Sequence, residues 1–165
     1  MADRLLVTEW GDTLRRNQNR SVDLLLVEDN PADIRLTEEA LKDGPVRVNL
    51  SVAKDGVEAV EFLNRRGRFI NAPRPDLILL DLNLPRKNGR EVLAEIKADP
   101  DLRQIPVVVM TTSMSEQDIE RAYELNANCY ITKPIELDDF LGIVHSIEDF
   151  WLTKAMLPGQ INPIA

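Results

Sequence analysis

Five apolar runs of strand length alternate with five segments of helical spacing, and this alternation restricts the fold more than any other feature of the chain. The runs are VDLLLV (22–27), VRVNLSVA (46–53), DLILL (76–80), IPVVVM (105–110) and ANCYIT (127–132). The segments PADIRLTEEALKD, DGVEAVEFLNRRG, GREVLAEIKAD, SEQDIERAYELN and ELDDFLGIVHSIEDFWLTKAM follow them in turn, with apolar residues three and four apart. Strands separated by helices cannot pair as hairpins. The expectation is an α/β fold, a five-stranded parallel sheet doubly wound by right-handed crossovers, with helices on both faces. At 165 residues the chain has room for one such domain. We assign residues 1–20, which end in the polar RRNQNR, to an N-terminal tail, 21–150 to the domain, and 151–165 to an extension of the last helix and a tail.

In doubly wound sheets ligands bind beyond the carboxyl ends of the strands, so the residues that close each run carry the functional information. The first run ends at Glu28 and Asp29, the third at Asp81, the fourth at Thr111 and Thr112, and the fifth leads into Lys133 and Pro134. A carboxylate at the end of LILL costs free energy to desolvate unless something pairs with it. Three carboxylates in one crevice would also raise one another's pKa unless a cation sits among them. With oxygen ligands and no nearby His or Cys in sequence, the cation expected is hard, and Mg²⁺ fits a site of few carboxylates with open positions. Thr111 and Lys133 add a hydroxyl and an ammonium, the groups that hold phosphoryl oxygens. Asp81 is then both a metal ligand and a nucleophile that forms an acyl phosphate. Pro85 and Gly89 shape the loop after it.

Net charge narrows the partners. The formal charge is −8, from 28 acids against 20 bases, which repels nucleic acid phosphates and anionic lipid. A single cysteine, Cys129, excludes an intrachain disulfide framework and suits a reducing cytoplasm. No run approaches a membrane span, and the N-terminus is no signal peptide. We expect a soluble, cytoplasmic protein.

LLLVEDNPADIRL, LLLDLNLPRKNG, VVVMTTS and CYITKPI, in this order, resemble the receiver domain of bacterial two-component response regulators over about residues 22–150. The resemblance implies a flavodoxin-like fold that takes a phosphoryl group on Asp81 from a sensor histidine kinase and acts by protein–protein interaction. It implies Mg²⁺ ligation by Asp29, Asp81 and the main-chain carbonyl of Asn83, with Glu28 acting through water. It makes Thr111 the switch hydroxyl, Tyr130 the switch aromatic and Lys133 the phosphate-binding cation, with a cis peptide bond before Pro134. RPDLILLDLNLPRKNGREVLAEIKADPDLRQIPVVVMTTS and the late FWL are similar to the small stand-alone receivers that partner bacterial and cyanobacterial phytochromes. Two positions depart from the pattern. Glu28 stands where an aspartate is often found, and Thr112 where many receivers have a smaller residue.

Plainer readings exist for each residue taken singly. Asp29 ahead of PAD could be a helix cap, Tyr130 an ordinary strand aromatic, Cys129 a small core residue, and His145 a surface side chain rather than a relay. As a rival to the non-enzymatic switch, an aspartyl-phosphate hydrolase would want an acid two residues beyond its nucleophile, where Asn83 stands. A non-phosphorylated docking receiver would not need Asp81, Thr111 and Lys133 together. Finally, Phe150, Trp151, Leu152, Met156 and Leu157, with Ile161 and Ile164, make the end of the chain apolar. That suggests an arm buried against a second copy, a homodimer on the face of the fourth helix, fifth strand and fifth helix.

Overall fold

The computed structural model describes residues 21–158. Its strands are β1 (Val22–Val27), β2 (Val48–Ala53), β3 (Leu77–Leu80), β4 (Val107–Thr111) and β5 (Cys129–Thr132). They form one sheet in the order β2-β1-β3-β4-β5, with every neighbouring pair parallel. The helices are α1 (Pro31–Lys42), α2 (Gly56–Leu63), α3 (Gly89–Ala98), α4 (Glu116–Glu124) and α5 (Leu137–Ile147). The expected parallel, doubly wound sheet is what forms. The later strands begin one or two residues inside the apolar runs for local reasons. Pro106 has no N–H for the ladder, so its carbonyl accepts from Ile78 N at 3.0 Å and β4 begins after it. Asn128 spends its Oδ1 on Val107 N at 2.9 Å, and β5 follows.

Side chains alternate across the sheet and build two cores. Leu25, Val27, Ile78, Leu80, Val107 and Val109 point to α2, α3 and α4, where Phe62, Val92, Leu93 and Ile96 meet them. Leu24, Leu26, Leu77, Leu79, Val108 and Met110 point to α1 and α5, meeting Leu41, Phe140, Val144 and Ile147. Among the described residues this second face has two α-helices against it. The chain fills the remainder by running past α5 in a π-helical stretch, Glu148–Lys154, closed by Ala155 N donating to Phe150 O at 2.8 Å. The wider turn brings Leu152, and then Leu157, onto the same apolar layer five residues apart, 6% and 1% exposed.

The arm expectation is corrected for those two residues: Leu152 and Leu157 are core of their own chain, because the two-helix face leaves apolar surface that the overrun covers. Phe150 and Met156 stay exposed, at 55% and 60%, and Trp151 is half-buried with its ring edge-on to Phe150. Ile161, Ile164 and the tail 1–20 lie outside the described residues. Leu157→Ala should therefore lower stability by about 2 to 5 kcal/mol, as for other fully buried leucines, at any protein concentration. Chemical denaturation at two concentrations checks this, since an intermolecular contact would make the loss concentration-dependent.

Candidate functional site

The ladders carry each site residue one hydrogen bond beyond its strand. Glu28 N donates to Ala53 O at 3.0 Å, Asp81 N to Val27 O at 3.0 Å, and Lys133 N to Thr111 O at 2.7 Å. The three residues thus lie at the carboxyl edge of β1, β3 and β5, around the point where the chain order reverses between β1 and β3. All three are buried, as is Thr111.

The loop after Asp81 is held by the carboxylate itself. Asp81 Oδ1 accepts from Asn83 N at 3.0 Å, and Gly89 N donates to Leu82 O at 2.9 Å, folding the N-terminus of α3 back onto the loop. A Cβ at Gly89 would collide with the Asp81 carbonyl oxygen, so the close approach requires glycine. Asn88 and Glu91 cap α3 reciprocally. Across the crevice Asn30, rather than Asp29, caps α1: its Oδ1 accepts from Ala32 N at 2.9 Å and Asp33 N at 3.2 Å. Asp29 is thereby left at the acidic cluster.

The ammonium of Lys133 is the hub. It donates to Asp81 Oδ2 at 2.9 Å, to Asp33 Oδ2 at 3.0 Å and to Glu28 Oε2. Burial is the largest influence on this lysine and lowers its pKa. Its hydrogen bonds to Glu28 and Asp81 and their charges together outweigh that, and the net shift is upward. Glu28 goes the other way for a carboxylate. Burial, reinforced by the Asp81 charge, raises it to about 7 against the pull of Lys133. Thr111 Oγ1 faces the same loop, 3.4 Å from Asn83 Nδ2, and the exposed Thr112 is 3.5 Å from that amide, so it sits on the loop's outer side. Tyr130 reaches the site indirectly: its hydroxyl donates to Ser113 O at 2.8 Å, tying β5 to the β4–α4 loop.

The carboxylates suit a divalent cation. One oxygen from each of Glu28, Asp29 and Asp81 lies within 4.8 Å of the others, an all-oxygen set in which a single lysine compensates two buried acids. A cation there would offset the burial, and with it the Asp81 charge, that keep Glu28 partly protonated near neutrality. Binding of a divalent cation should consequently strengthen as pH rises from about 6 to about 8, by roughly tenfold per unit below the Glu28 pKa of about 7 and little above it, because the proton must leave first. Calorimetric titration at several pH values tests it, and a flat profile would contradict a protonated Glu28.

Of the expected residues, Glu28, Asp29, Asp81, Asn83, Thr111 and Lys133 are brought together, and Tyr130 stands beside them. The peptide before Pro134 is not cis: the described residues contain no cis bond. Trans is the intrinsically favoured isomer, and Lys133 reaches all three carboxylates from it. Two participants escaped the sequence. Asp33 read as an ordinary acid in a helix first turn, favoured there by the dipole. Asp118 joins Arg90, at 2.5 and 2.9 Å, and Ser113, at 2.5 Å, bracing α3, α4 and the β4–α4 loop, and only tertiary structure brings these three together.

A strand-end aspartate answered by a lysine two strands away, beside an acidic pair, is the arrangement of a phosphoacceptor domain, and the sequence comparisons agree. The profile of the response regulator receiver domain matches residues 24–145, and the chain belongs to that family. Response regulator Rcp1 of Synechocystis sp. is 54% identical over 135 residues, 82% of this chain and 92% of that protein. Among solved structures, the phosphorylated cyanobacterial phytochrome response regulator RcpA superposes with a TM-score of 0.82 at 55% identity, over 84% of this chain and 99% of that one. The Mn²⁺-bound form of Rcp1 gives 0.81 at 53% identity, over 83% and 99%. The chain is thus a receiver-domain response regulator homologous to phytochrome response regulators, in a family that signals by aspartate phosphorylation and binds divalent metal. Among the described residues no helix is long and apolar enough to cross a membrane.

Proposed function

We propose that Asp81 is the phosphoacceptor, that Mg²⁺ is the working cation, and that the donor is a phosphohistidine on a phytochrome-type sensor kinase in the cytoplasm. The observation that carries this reading is the Asp81 carboxylate, buried at the end of β3 with one oxygen on Lys133 and the other on the Asn83 amide. An Asp81 oxygen attacks phosphorus, the bond from phosphorus to the donor imidazole breaks, and the histidine leaves with that electron pair. Glu28, Asp29, Asp81 and the Asn83 carbonyl would hold Mg²⁺, which supplies charge neutralisation of the phosphoryl oxygens. Lys133 takes one of those oxygens, and Thr111 closes on another. Tyr130 follows through the Ser113 carbonyl that it already holds, which changes the face made by α4, β5 and α5.

On that face Tyr123, Ile135 and Leu137 are exposed, and Phe150, Trp151 and Met156 continue beyond α5. They support a protein–protein output, a homodimer included, with residues 21–150 as the receiver, 1–20 as a tail and 151–165 as an extension of the last helix and a tail. The downstream protein is one that reads this face. Labelled acetyl phosphate with Mg²⁺, followed by phosphotransfer from purified kinases, tests the reading. Label that is lost to alkali or hydroxylamine, as an acyl phosphate is, supports it. Rapid turnover of assorted phosphoesters would point to a hydrolase instead, and no label to docking alone. Light scattering of the Phe150→Glu variant tests the dimer.

A further inference from the structure

An ammonium has three N–H donors, and in this protein all three are taken by carboxylates, from Glu28, Asp81 and Asp33. The first two belong to the acidic cluster, but Asp33 contributes no ligand atom to it. Its main chain is pinned in the first turn of α1, where Asp33 N donates to Asn30 Oδ1 at 3.2 Å and Thr37 Oγ1 donates to Asp33 O at 2.8 Å. Lys133, by contrast, arrives on a flexible four-carbon stem. The fixed partner is therefore the aspartate. Its side chain is 23% exposed, so its charge is only partly screened toward a lysine that is 6% exposed.

We propose that Asp33 is a positioning residue for Lys133, holding the ammonium toward α1 and competing for it with a phosphoryl group on Asp81, so that it sets how strongly the phosphorylated state is held. This rests on Asp81 as the phosphoacceptor. When Asp81 is esterified, the N–H now on its Oδ2 turns to a phosphoryl oxygen. That new bond is made against the pull of Asp33, a charge-assisted contact with the same ammonium. Removing the charge at 33 while keeping the shape strengthens the grip on the phosphoryl group.

The test uses beryllofluoride, a phosphoryl mimic that binds an aspartate carboxylate, at saturating Mg²⁺ on the full chain. Asp33→Asn should tighten its binding about fivefold, the size of the difference between a charge-assisted hydrogen bond to Lys133 and a neutral one. In a Lys133→Ala background the same change should do nothing, because the competition has lost its object. Glu39→Gln, an exposed charge change on the same helix, should leave binding as it was. Unchanged or weaker binding in Asp33→Asn, or tightening that persists without Lys133, overturns the proposal. Failure of the unaltered protein to bind beryllofluoride would instead overturn the assignment of Asp81.

Discussion

Asp81→Asn should accept no phosphoryl group from acetyl phosphate or from a kinase, a loss of more than about a hundredfold, because an amide oxygen is a very poor nucleophile. The same variant should be as stable as the parent or more so. Asp81 is one of two buried acids facing a single lysine, and its charge adds to what raises Glu28. Deleting that charge relieves repulsion, and the single amide oxygen keeps the bond from Lys133 but gives up the one from Asn83 N, so in the absence of Mg²⁺ the relief is expected to match or slightly exceed that loss of about 1 kcal/mol. Denaturant titration alongside labelling measures both effects. Persistent label would move the phosphoacceptor elsewhere, and marked destabilisation would mean that the carboxylate is retained for the fold.

Lys133→Ala should do the opposite to stability. It removes the cation from three carboxylates, two of them buried, and leaving buried charges unpaired costs about 3 to 5 kcal/mol where the charges cannot be neutralised otherwise. Two routes of neutralisation exist, and each gives a signature. Glu28, already raised to about 7 with the lysine present, goes higher without it. A carboxyl whose folded pKa exceeds its unfolded value binds more protons folded than unfolded. The variant's stability is then greatest below the unfolded carboxylate range and falls as pH rises through the folded pKa. Lowering the pH from about 8 to about 6 should recover much of the loss. Mg²⁺ should stabilise the variant more than the parent, since it binds a folded site with one cation fewer. Melting curves at both pH values, with and without Mg²⁺, decide this. A loss indifferent to pH and to Mg²⁺ would show that Lys133 matters through its packed stem rather than its charge.

The fold and most of the site could be read from the sequence for one physical reason. A parallel sheet buried on both faces needs uninterrupted apolar strands, and LLLV, LILL and VVVM end abruptly where the chain turns polar. Whatever is polar at those ends is either a turn or the site, and three such ends at one edge of the sheet left little choice. What escaped depended on geometry across the crevice. Asp33 is four residues from Asp29 in sequence, but its meaning comes from Lys133, a hundred residues on. The apolar end of the chain failed for a related reason. Composition showed that Leu152 and Leu157 needed cover, but not that the α1 and α5 face of their own sheet would supply it.

The way Glu28, Asp81 and Lys133 each take the last rung of a ladder has a consequence for how such a domain diversifies. Their main-chain amides are secured by the sheet, so they should exchange with solvent only when the sheet itself opens, whereas the amides of the loops beyond them exchange through small local openings. A substitution in those loops can alter which partner is met, or how long the signal lasts, without displacing the Asp81 carboxylate. The reacting groups and the recognition surface are in this sense separable inheritances, and a lineage can rewire the second while the first stays in place.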